Sequence, residues 1–137
     1  MALGEYSIFT WKSRATQDRE QEEYEKWAFP YGAAQREKLQ ALLRSLYPKE
    51  SIQATLIAFL TCKELYESAL RKSSSSEDAT DLLINKQKSY KRIIKKRDMA
   101  VYISLVLADA AIDAQCEYPG IETIREHAQR IESIRNR

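Results

Sequence analysis

Residues 77–117 read EDATDLLINKQKSYKRIIKKRDMAVYISLVLADAAIDAQCE, and neither glycine nor proline interrupts them. Ala79, Leu83, Tyr90, Ile94, Val101, Leu105, Ala108 and Ile112 recur at about 100° per residue, the angular step of an α-helix. Ser76 ahead of Glu77 and Asp78 offers an N-cap hydroxyl with acids in the first turn. The stretch therefore predicts one helix from Glu77 to about Glu117, about 60 Å long at 1.5 Å per residue. A domain of this size has a radius of gyration of about 14 Å, so such a rod overhangs it. An elongated fold, a kink near Lys95–Asp98, or a second subunit covering the excess would resolve the mismatch.

The punctuation elsewhere supports the same class. The 137 residues contain three glycines and three prolines, too few turn formers for a sandwich or barrel of many short strands. Apolar residues make up 44%, enough for one core without a metal or a disulfide. The expectation is a single all-α domain over residues 1–137, a bundle of about five helices, one of them long.

Each proline follows an aromatic, at Phe29-Pro30, Tyr47-Pro48 and Tyr118-Pro119, and the residue before proline is driven out of the α region. Ser73–Ser76 is a further polar break. Between these marks, Ala33–Leu46 carries Leu39, Leu42, Leu43 and Leu46 on one stripe. Ser51–Arg71 has apolar residues on more than one side and is expected near the centre. The last segment repeats Ile121, Ile124, Ala128 and Ile131, two heptads at most, which favours packing on the domain over a free coiled coil. Residues 1–12 are expected to form an aromatic N-terminal arm, followed by a Gln/Glu/Arg/Lys-rich helix from about Ser13 to Ala28.

Charge narrows the functional classes. With 22 basic and 20 acidic side chains the net charge is +2, so no global field demands a nucleic acid or an anionic membrane. The longest apolar runs, Ala54–Leu60 and Met99–Ala108, fall short of the roughly 20 residues of a membrane span. Residues 1–20 lack a secretory signal pattern, and Cys62 and Cys116 read as free thiols in apolar stretches. A cytoplasmic protein without a cofactor is the expectation.

Isolated glycines exclude a P-loop or a dinucleotide fingerprint, and a single histidine, His127, excludes a three-histidine zinc site. Two charged clusters remain. Lys86, Lys88, Lys91, Arg92, Lys95, Lys96 and Arg97 place seven cations in twelve residues with no acid among them. Lys88, Lys91, Arg92 and Lys95 share one helical face, a candidate anion or partner surface. Asp109, Asp113 and Glu117, at i, i+4 and i+8, form a candidate acidic face that, with Glu64 and Glu67, could hold Mg²⁺.

On one continuous helix the basic half precedes the acidic half, so two antiparallel copies would pair plus with minus twice, as a two-fold dimer. The expected function is a non-enzymatic helical protein acting through protein–protein interaction, regulatory or structural, and self-associating as a homodimer. The alternatives are an accessory nucleic-acid binder using residues 86–97 and a Mg²⁺-dependent nucleotide hydrolase using the acidic face.

Overall fold

Helix-forming residues bounded by the three aromatic–proline pairs account for most of the architecture. The computed structural model describes residues 14–85, 93–112 and 117–135, and every regular element among them is helical. Six α-helices follow in order: α1 Arg14–Ala28, α2 Ala33–Leu46, α3 Ile52–Arg71, α4 Ser76–Asn85, α5 Met99–Ala111 and α6 Ile121–Arg135. One 3₁₀ turn, Lys96–Asp98, precedes α5. The proposed aromatic arm, residues 1–12, lies outside the described residues.

Local chemistry sets the ends. The α1 ladder closes with the Phe29 N–H donating to the Glu25 carbonyl at 2.8 Å, and Pro30 cannot continue it. Gly32, with φ of +82°, turns the chain into α2 through a conformation that a side chain would strain. Ser51 caps α3, its hydroxyl accepting the Ala54 N–H at 3.1 Å. The hydroxyl that caps α4 is Ser75, which accepts the Asp78 N–H at 3.1 Å, one residue earlier than the sequence suggested.

The predicted long helix is not present. Lys95 is extended, with ψ of 149°, and Ile112 is extended as well, so α5 runs only from Met99 to Ala111. The break coincides with the kink site at Lys95–Asp98, yet it is a full interruption. Its physical reason is burial. Both α4 and α5 pack on α3 and also touch each other. A single rod of about 60 Å could not lay both halves against a 20-residue partner about 30 Å long. Ile94 keeps its place in the apolar pattern because it is buried at the turn, although it is not itself part of a helix. Two antiparallel continuous rods are therefore not available for a dimer.

The core lies where α3 and α5 meet. Phe59 and Cys62 of α3, Ile103 and Leu105 of α5, and Leu39 and Leu43 of α2 are fully enclosed. α5 is apolar on all sides and correspondingly buried, as a central helix must be. α6 covers it through Ile124, Ala128 and Ile131, and α4 closes a side through Ala79, Leu83 and Ile84. No helix among the described residues is long and apolar enough to cross a membrane.

Candidate functional site

The apolar surroundings of α3 and α5 each contain one charge at a core position. Lys63 follows Phe59 by four residues, and Asp109 follows Leu105 by four, so both point inward. Their side chains are 11% and 3% exposed, and the Lys63 Nζ lies 3.6 Å from the Asp109 Oδ2. Two unpaired buried charges would be costly; facing each other, they are tolerated.

The pair anchors a wider network. Lys63 Nζ also donates to the carbonyls of Trp27 at 2.9 Å and Ala28 at 3.0 Å, two acceptors that the end of α1 leaves without helical partners. A cation at a helix C-terminus also complements the helix dipole. The same ammonium stands 5.1 Å from the centroid of the Trp27 ring. The Trp27 indole N–H in turn donates to the Glu67 Oε2 at 2.8 Å.

On the other oxygen, Asp109 Oδ1 accepts from Gln35 Nε2 at 2.7 Å and from the Tyr118 hydroxyl. Gln35 is itself fixed, its Oε1 accepting the Tyr31 N–H at 2.9 Å. Burial, and then the hydrogen bond to Asp109, push the Tyr118 hydroxyl well above the usual tyrosine range. Tyr118 therefore stays a donor at neutral pH. Both Asp109 oxygens are engaged from within the chain, and the network joins α1, α2, α3, α5 and the segment before α6.

This placement revises the acidic face. Asp109 is enclosed, Glu117 lies beyond the end of α5 with its side chain 80% exposed, and Asp113 lies outside the described residues. Helix α5 ends at Ala111, so these positions do not continue one helical face. Glu117 accepts an ion pair from Lys38 at 3.1 Å, and Glu67 is taken by Trp27. Among the described residues no three His, Cys, Asp or Glu side chains group as metal ligands.

Of the basic surface, Lys88, Lys91 and Arg92 lie outside the described residues. Lys95 is exposed and 3.9 Å from Glu50, on a turn and not on a helix face.

Sequence reasoning passed over Lys63, Gln35 and Tyr118. The signal was available in part: a lysine and an aspartate, each in phase with a core stripe, require partners of opposite sign. His127 is half-buried, and its Nδ1 lies 3.2 Å from the enclosed Ser104 hydroxyl. A further cluster links α2 to α5. The rings of Tyr47 and Tyr102 stack with centroids 5.5 Å apart and planes 4° from parallel. Burial raises both hydroxyls, and the neighbouring Asp98 carboxylate raises that of Tyr47 further.

No family model, curated protein or solved structure matches this chain.

Proposed function

We propose that the protein is a non-enzymatic helical interaction protein that works by presenting α1 to another protein, and that it also self-associates. The observation that carries this reading is the attachment of α1. Its last residues are held by Lys63, and Ala28 is fully buried, whereas every side chain from Asp18 to Lys26 is exposed except the half-buried Glu20. A helix gripped at its end, with most side chains from Asp18 to Lys26 exposed, offers a charged ridge at little ordering cost. The buried polar cluster supports the same reading, because its donors and acceptors are matched to one another and act to hold that ridge in place.

The test uses the full chain as bait in pull-downs run with and without nuclease, beside a variant with Asp18, Glu22 and Glu23 replaced by Lys. These positions are exposed, so the variant is expected to melt cooperatively near the parent temperature. A partner protein retained by the parent and lost by the variant supports the proposal. Identical retention by both, or retention of nucleic acid alone, overturns it. The second outcome would favour a nucleic-acid role for residues 86–97, whose described cations Lys95, Lys96 and Arg97 are exposed.

A further inference from the structure

Ile93 is 48% exposed on the turn ahead of the 3₁₀ segment, the highest exposure among the large apolar side chains described. Its neighbour Ile94 is fully enclosed, and Lys95, Lys96 and Arg97 are exposed. The turn therefore projects one branched aliphatic side chain beside a group of cations. Burying such a side chain is favourable, and leaving it in water forfeits that gain.

Elsewhere on the molecule, α4, α5 and α6 enclose a cleft of ≈ 220 Å³. Its floor is apolar, made by Leu107 of α5 and Ile131 of α6. Glu77 and Asp81, one helical turn apart on α4 and both exposed, stand at its rim with His127 opposite in the lining. Among the described residues no ion pair within 4.0 Å engages either acid. The volume corresponds to about seven liquid waters at about 30 Å³ each, space for one aliphatic side chain.

We propose that this cleft receives Ile93 of a second copy of the chain, with Lys96 of that copy paired to Asp81. Shape and charge agree. An aliphatic knob followed by cations meets an apolar hole edged by acids, and the sequence from residue 86 to 97 contains no acid to compete. Within one chain the knob does not line the cleft. It precedes the start of α5 at Met99, whereas Leu107 lies toward the far end of that helix. A two-fold dimer would use the contact twice, each copy giving one knob and one cleft.

The inference deepens the self-associating part of the proposed function, and its failure is separable from failure of that part. Sedimentation velocity on the purified full chain over a concentration series is expected to show dimer formation. Ile93→Asp is expected to weaken it by about tenfold or more, since it places a charge on the apolar floor. Asp81→Lys and Lys96→Glu are each expected to weaken it several-fold, and an equimolar mixture of the two to recover parental association. In the mixture the reversed rim of one variant meets the reversed turn of the other. All three positions are exposed, and far-ultraviolet melting confirms the fold of each variant.

Parental association by Ile93→Asp overturns the inference, as does a mixture as weak as its components. A parent dimer untouched by these substitutions overturns the cleft alone. A parent that stays monomeric at every concentration overturns self-association together with it.

Discussion

Lys63 of α3 and Asp109 of α5 face each other inside the bundle, Nζ to Oδ2 3.6 Å, and the same ammonium holds the last carbonyls of α1. One buried ion pair thus fixes the entry of the chain to its central helix. Removing Lys63 leaves a buried carboxylate with its charge unbalanced and two helix carbonyls without a donor. Lys63→Met is expected to cost about 3–5 kcal/mol in urea unfolding. Lys63→Met combined with Asp109→Leu is expected to cost less than the sum of the single changes, by about 1 kcal/mol or more. Additive losses would show that the two residues do not act as a pair.

Alkaline stability reports on Tyr118. Its hydroxyl, like those of Tyr47 and Tyr102, holds its proton more tightly in the folded chain than at the ordinary value near 10, chiefly through burial. The unfolded chain therefore releases these protons first. The stabilisation is complete below about pH 10 and falls as pH rises beyond it. Melting temperature is expected to be flat from neutral pH to about 9 and to drop above 10. Tyr118→Phe is expected to lower stability at pH 7 by about 1–3 kcal/mol, through the lost bond to a charged acceptor, and to make the alkaline decline shallower. An unchanged slope would remove Tyr118 from this account.

Cys62 is completely enclosed on α3, and burial raises its thiol above the usual range. In a Cys116→Ser background, where it is the sole thiol, its reaction with an aromatic disulfide reagent at pH 8 is expected to wait for unfolding. Rapid labelling in native buffer would contradict this placement.

Two adjacent serines test the start of α4. Ser75→Ala removes the hydroxyl that accepts the Asp78 N–H and is expected to cost about 1 kcal/mol. Ser76→Ala, at an exposed first helical residue, is expected to stay within about 0.5 kcal/mol. The reverse ranking would return the cap to Ser76.

Much of the fold was legible because its signals are local. The stripe of Leu39, Leu43 and Leu46 and the three aromatic–proline boundaries depend only on near neighbours, and each element they predict is present. The long helix misled for a related reason. Periodicity records which residues face the core, and Ile94 faces it from a turn as well as it would from a helix. The candidate acids show the same limit. Asp109 looked like one of a surface trio, whereas its partners Gln35, Lys63 and Tyr118 come from three other parts of the chain.

By itself the sequence determined an all-helical chain, its main helix boundaries and the apolar faces that must be hidden, since steric limits and side-chain burial act residue by residue. Only the tertiary structure decided where residues 77–117 break and which charges become interior. Those outcomes follow from a competition that no local pattern encodes. Laying α4 and α5 together against α3 buries more apolar surface than an overhanging rod can, and the two charges carried into the core by α3 and α5 then have to meet.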